Sequence, residues 1–191
     1  LIEAFATLKN LCEHLHLPVQ SGSDSVLSRM RRGYTRQEYL DRIQRLRRRC
    51  PDVALSTDII VGFPGETEAE FDATLELLEQ VGYDEIFSFM YSPRPQTVSA
   101  KIYEDDISDG IKRERLARVQ KFQQAISLAK NRRRGGEIDE ILVDGSSKLK
   151  NGQIMGRTRN NRIVNVAGVE SLVGQLLSVR ITGATANSLL G

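Results

Sequence analysis

The strongest constraint on this chain is a change of hydrophobic period part-way along it. From Leu15 to Tyr91 short apolar runs alternate with stripes at helical spacing; after Gly136 only short strand-like runs remain. Leu15 to Gln20 reads as a buried strand opening into a loop at Gly22. Ser23 and Asp24 are N-cap types, followed by Val26, Leu27 and Met30 at helical spacing. Thr35 and Glu38 form a capping box before a helix with Tyr39, Leu40, Ile43 and Leu46 inward, and Pro51 stops it. Val53 to Phe63 is β-branched and almost wholly apolar, the pattern of a parallel strand covered on both faces. Thr67 and Glu70 form a second capping box. The helix after it turns Phe71, Thr74, Leu75, Leu78 and Val81 inward, with Gly82 at C′. Ile86 to Tyr91 is the next strand.

Strands that alternate with helices imply right-handed βαβ units and a parallel sheet. Three such strands suit half of a (β/α)₈ barrel or part of an open doubly wound sheet. A long helix then runs from about Ser108, with Leu116, Val119, Phe122, Ile126 and Ala129 as its stripe. Arg132 to Gly136 reads as a linker. Ile138 to Val143, Gln153 to Thr158, Arg162 to Val166 and Leu176 to Thr182 follow as strands. Asp144-Gly145, Asn151-Gly152, Asn160-Asn161 and Ala167-Gly168 are the turn signals between them. The expected fold is therefore α/β over residues 1–131 and a small all-β barrel over 132–191.

No apolar run approaches the ~20 residues of a membrane span. The start, Leu1-Ile2-Glu3-Ala4-Phe5, resembles no signal peptide and reads as mid-helix, so a piece of a longer cytoplasmic protein is expected. Cys12 and Cys50 are too few and too far apart for a disulfide framework or zinc knuckle, and no metal site is expected. The formal net charge is +2, but it is unevenly spread. Ile111 to Arg134 holds nine basic residues against Glu114 alone, which leaves the rest of the chain net acidic.

Ligands of parallel α/β folds bind at the C-terminal ends of the strands. All three strands here end in polar, Gly- or Pro-rich loops: Gln20 to Ser23, Gly62 to Thr67, and Tyr91 to Pro95. The physics of these loops implies a polar ligand at the sheet's mouth and no more. The histidines are His14 and His16. His16 is expected as a satisfied core histidine. Asp58 is the one acid within an apolar strand and needs a partner there. That partner is either the backbone or an arginine, or else a ligand.

Four stretches carry a resemblance: His16-Leu17-Pro18-Val19-Gln20-Ser21-Gly22-Ser23; Met30-Arg31-Arg32-Gly33-Tyr34-Thr35; Thr57 to Thr67; and Phe89-Met90-Tyr91-Ser92-Pro93-Arg94-Pro95. In order and spacing they are similar to the tRNA methylthiotransferase (MiaB) family. Gly156-Arg157-Thr158 with Asn161-Arg162-Ile163-Val164-Asn165 resembles the TRAM domain that ends those enzymes. Gln96 stands where the family usually has Gly. The resemblance implies the C-terminal half of a (β/α) radical-SAM TIM-type barrel, followed by an OB-like TRAM barrel. It also implies S-adenosylmethionine (SAM) and two [4Fe-4S] clusters, whose cysteine motifs would lie upstream. The activity implied is methylthiolation at C2 of an isopentenyl-adenosine beside the tRNA anticodon, with a relative acting on threonylcarbamoyl-adenosine as the alternative. A non-catalytic RNA-binding module is the rival from another class.

By the same resemblance, Gln20, Ser21, Ser23, Arg32, Asp58, Gly62, Phe63 and Tyr91 form one wall of a SAM pocket. Arg32 matches the motif arginine that would pair with the SAM carboxylate. Phe89 would lie near the adenine. No residue of this chain is assigned a catalytic role. The implied partner is the tRNA anticodon stem-loop, without a membrane. The missing N-terminal half of the enzyme is a second partner, and self-association of the open half-barrel is expected. The basic helix and Lys148, Lys150, Arg157, Arg159 and Arg162 suit phosphate contacts. Likeness to TRAM directs Arg157, Asn161 and Arg162 toward RNA. Residues 135–191 hold no aromatic ring for base stacking.

Overall fold

The computed structural model describes residues 1–147 and 152–191. Lys148, Lys150 and the Asn151 turn therefore lie outside the described residues. The elements are α1 (Ile2–Thr7), β1 (His14–His16), α2 (Asp24–Arg29), α3 (Arg36–Arg49), β2 (Ala54–Val61), α4 (Glu68–Val81), β3 (Glu85–Met90), α5 (Val98–Ile102) and α6 (Asp109–Arg132). Then come β4 (Ile138–Ser146), β5 (Gln153–Thr158), β6 (Ile163–Ala167), a 3₁₀ turn (Glu170–Leu172), β7 (Leu176–Arg180), β8 (Gly183–Ala184) and β9 (Leu189–Leu190). Two compact units result, one of His16–Arg48 and Leu55–Gln123, the other of Leu1–Leu15, Arg49–Ala54 and Gln124–Gly191. The β-rich segment thus falls in one unit with the first fifteen residues and the end of α6.

In the first unit β2 and β3 run parallel, with Asp58 beside Phe87 and Ile60 beside Phe89. The expected strand from Leu15 is shorter than its apolar run. Pro18 has no N–H to give, and the Val19 N–H donates to Thr57 Oγ1 (2.9 Å) instead of to a ladder carbonyl. Pairing resumes at Gln20, which bridges Ile59. Both capping boxes form. The Thr35 N–H donates to Glu38 Oε2 (2.8 Å), and Thr67 and Glu70 close the second box reciprocally. Gly82 ends α4 at φ 59°, the left-handed conformation that a Cβ disfavours. Phe71, Thr74, Leu77, Leu78 and Val81 are buried along α4, so Leu77 takes the core place expected for Leu75. A chain of hydroxyls ties helices to strand. Tyr83 donates to the Tyr39 hydroxyl (2.9 Å), and Tyr39 donates to the Leu17 carbonyl (2.8 Å).

The first half of α6, in the same unit, departs from its apolar stripe. Lys112, Arg115, Val119 and Gln123 are its buried residues there. Burial of cations needs compensation. Lys112 Nζ meets both oxygens of Asp105 (2.5 and 2.7 Å), and Arg115 meets Glu66 (2.9 Å). Arg118 pairs with Glu68 and Asp72. The helix is thus a framework element, and these cations are already spent on carboxylates.

In the other unit the strands form a curled six-stranded sheet, in the order β7-β4-β5-β6-β9-β8. Among the described residues only β6 and β9 pair in parallel there. Ile141, Val164, Val179, Ile181 and Leu189 make its core. Asp144-Gly145, expected as a turn, lies within β4, where the register with β5 shifts between Val143 and Gly145 as at a β-bulge. The end of α6 is pinned here, Asn131 Nδ2 donating to the Thr185 carbonyl (2.9 Å).

Candidate functional site

The loops after β1, β2 and β3 border a cavity of about 700 Å³. Such a volume suits a nucleoside-sized ligand. Of the residues expected at a ligand, Gln20, Arg32, Asp58, Phe63 and Tyr91 line it. Ser21, Ser23 and Gly62 do not; they stand behind the wall and shape it. Ser21 Oγ lies 3.3 Å from Thr74 Oγ1, which also accepts the Gly22 N–H at 2.9 Å. Ser23 caps α2, accepting the Val26 N–H at 3.4 Å. These hydroxyls are engaged in building the loop.

Gly62 is held on two sides. Its N–H donates to Glu66 Oε2 (2.7 Å), and a Cβ built on it would lie 2.4 Å from Lys112 Cγ. At φ 69° a side chain would be strained as well. The tight loop turns Phe63 edge-on to Tyr91, with centroids 4.9 Å apart. Tyr91 is buried, and its hydroxyl has no hydrogen-bond partner among the described residues. Lys112 Nζ stands 5.6 Å over the same ring.

Asp58 and Ile60 lie on the more open face of the sheet, with Phe87 and Phe89 exposed beside them. His16 is not a core histidine. It is exposed on this face, its Nδ1 3.0 Å from Ser56 Oγ and its Nε2 3.5 Å from Asp58 Oδ1. Asp58 therefore has an imidazole neighbour, not an arginine, and keeps an edge on the cavity. Gln20 takes φ 78°, rare for a residue with a Cβ, and is buried at the cavity wall.

Periodicity gave no sign of three further lining residues. Arg29 is neutralised by Glu70 through two contacts (3.1 and 3.0 Å). Arg31 and Arg94 are exposed at the rim. Their only signal in sequence is position, directly after a short helix and between two prolines.

The residues expected at RNA are largely engaged within their own unit. Arg157 Nε lies 3.1 Å from Asp144, and its Nη1 donates to Asn161 Oδ1 (3.0 Å). Arg159 is clamped on Glu13 and on the Lys9 and Leu11 carbonyls. Arg162 donates to Asn131 Oδ1. Among the described residues no three His, Cys, Asp or Glu side chains group as metal ligands, and none of the helices is long and apolar enough to cross a membrane. Cys12 is exposed and Cys50 buried, both as free thiols.

Family models place this geometry. Residues 1–78 match the Radical SAM superfamily and residues 132–191 the TRAM domain. Along its whole length the chain is 52% identical to a Geobacter metallireducens protein named tRNA-2-methylthio-N(6)-dimethylallyladenosine synthase. It is 51% identical to the protein of the same name from Syntrophobacter fumaroxidans and 50% to that from Syntrophotalea carbinolica. The chain belongs to the tRNA methylthiotransferase family. It spans 42–43% of the length of these relatives.

The cavity fits the cofactor that the radical SAM family implies. Asp58 and Gln20 bring a carboxylate and an amide to it, Phe63 and Tyr91 bring aromatic rings, and the buried Tyr91 hydroxyl has no partner among the described residues, a set whose chemistry suits a nucleoside. The described residues offer no comparable set of ligands to an iron–sulfur cluster.

Proposed function

We propose that the intact protein methylthiolates C2 of isopentenyl-adenosine next to the tRNA anticodon, and that this chain supplies half of its SAM pocket together with its TRAM domain. Residues 1–131 are the barrel part and 132–191 the TRAM part in this reading. Identity near 50% over the whole chain, to relatives that carry this activity in their names, supports it most. The placement of Gln20, Asp58, Phe63 and Tyr91 around one cavity adds to it.

When bound, SAM supplies hydrogen abstraction and the methyl group. The residues of this chain orient it. Gln20 and Asp58 hold hydroxyls, His16 keeps the Asp58 carboxylate directed, Phe63 and Tyr91 flank the base, and Arg32 pairs with the carboxylate. Glu66, Lys112 and Thr74 hold the loops in place. The cluster ligands belong to other parts of the protein, and the site of action is cytoplasmic.

Mass spectrometry of tRNA nucleosides from a deletion strain tests the reading. Loss of the methylthio group from isopentenyl-adenosine, restored by the intact gene and not by Asp58→Ala, is the expected result. Loss only from threonylcarbamoyl-adenosine would transfer the protein to the other substrate.

A further inference from the structure

The cavity rim carries more positive charge than SAM can use. Four arginines line the cavity, Arg29, Arg31, Arg32 and Arg94, against one carboxylate, Asp58. Glu70 neutralises Arg29. Arg31, Arg32 and Arg94 have no carboxylate within ion-pair distance among the described residues and are all exposed. SAM has one carboxylate, one ammonium and one sulfonium, so as a whole it is a cation. Its carboxylate accounts for one arginine. The other two would repel it unless an anion follows it into the mouth.

We infer that Arg31 and Arg94 hold the phosphodiester backbone of the RNA substrate across the cavity mouth, and that the barrel rim shares the RNA-gripping role expected of the TRAM domain. The inference rests on the tRNA reading of the protein. Two observations carry it beyond simple charge counting. First, the division of labour is visible in the partners. Arg157, Arg159 and Arg162 have contacts within their own unit, whereas the rim arginines are open to a ligand. Secondly, Arg31 sits at φ 57°, a position where glycine would be unstrained. Its N–H donates to the Ser28 carbonyl and that of Arg32 to the Leu27 carbonyl, both at 2.9 Å, so the turn is fixed by the backbone and presents the side chain at the mouth. A phosphate chain passing over Arg31 and Arg94 would bring a base to the residues that face the cavity.

The test uses the intact protein and an isopentenylated anticodon stem-loop RNA, with binding titrated from about 50 to about 200 mM salt. Arg31→Gln and Arg94→Gln should each lower the slope of log affinity against log salt by about 0.7, the value for one phosphate contact on a single strand. Arg31→Gly should do the same without loss of thermal stability, and Arg31→Lys should restore the slope. Arg45→Gln, the same charge change on the exposed side of α3, should leave the slope alone. SAM affinity by equilibrium dialysis should be unchanged in all five. Unchanged slopes with normal wild-type RNA binding overturn the inference alone, as does a loss confined to SAM. Absence of RNA binding by the wild type overturns the tRNA reading and the inference with it.

Discussion

Arg159 grips Glu13 with two nitrogens, at 2.9 and 2.8 Å, and extends the second to the carbonyls of Lys9 and Leu11 at 2.9 and 2.8 Å. Asn160 beside it donates to the carbonyls of Glu13 (3.2 Å) and Asp52 (2.8 Å). The β5–β6 turn is therefore a bracket onto the first residues of the chain. The hydrogen bond from Arg159 holds the Glu13 carboxyl below the usual carboxylate range. Arg159→Ala should lower the melting temperature of the intact protein while leaving its affinity for RNA within about twofold, less than a charged hydrogen bond is worth. A double-mutant cycle with Glu13→Ala should show strong non-additivity. An RNA-affinity loss without a stability loss would reassign Arg159 to the ligand.

Gln20 separates a backbone role from a side-chain role. Its φ of 78° is strained for any residue with a Cβ, and its backbone bridges Ile59. Gln20→Gly should keep or raise stability by about 1 kcal/mol, because glycine takes that conformation freely. SAM affinity should nonetheless fall about tenfold, the value of one lost hydrogen bond. Differential scanning calorimetry and equilibrium dialysis on one preparation of the intact protein would check both. Unchanged SAM affinity would remove Gln20 from the pocket.

Gly22 has no room for a side chain. A Cβ there would stand 2.2 Å from the Ala73 carbonyl oxygen and 2.6 Å from Thr74 Cα, both backbone atoms of α4. Gly22→Ala should cost about 1–3 kcal/mol in urea unfolding, through forced separation of the loop from the helix. Thr74→Val should cost a similar amount for another reason, since it leaves the buried Gly22 N–H without its acceptor.

The βαβ order was legible because it is written in period and punctuation. Pro51, Gly82 and the two capping boxes mark ends that local chemistry decides, and local chemistry can be read in one dimension. The inner face of α6 was not legible. Lys112 and Arg115 look like solvent residues until Asp105 and Glu66 are brought to them, and Glu66 is remote in sequence. The Arg159 clamp is illegible for the same reason, because Glu13 lies far from Arg159 along the chain. The strands β8 and β9 are two residues each, too short to show a period. Hydroxyls at a strand end look alike in sequence, whether they line a cavity or, like Ser23, cap a helix.

Glu70 should make the protein acid-labile in a defined window. Burial opposes its ionisation, but hydrogen bonds from Arg29, Ser25 and the Thr67 N–H outweigh it and bring its pKa to about 2. A depressed folded pKa contributes stability above the unfolded value, and that stability is lost as pH falls from the ordinary glutamate range toward about 2. Glu70→Gln should flatten the stability–pH curve over this window, measured by urea unfolding at successive pH values. An unchanged curve would mean that the bonds to Arg29 and Ser25 do not persist in solution.

Glu66, at the start of the same loop–helix junction, should behave in the opposite sense. Burial pushes its pKa up, against the Gly62 N–H and Arg115. A raised folded pKa means that its contribution is full below the unfolded value and declines as pH rises through the folded one. Glu66→Gln should remove this decline while still accepting the Gly62 N–H. Glu66→Ala should be far worse, costing about 3 kcal/mol, because Arg115 would then be a buried cation left with only the exposed Glu68 at 3.3 Å. Pairing Glu66→Leu with Arg115→Met should recover much of that loss, since both charges leave together. SAM affinity should remain low in that pair, because nothing then fastens Gly62 and the Phe63 wall. Recovery of stability without recovery of SAM binding would identify Glu66 as a positioning residue; recovery of both would reduce the ion pair to a packing element.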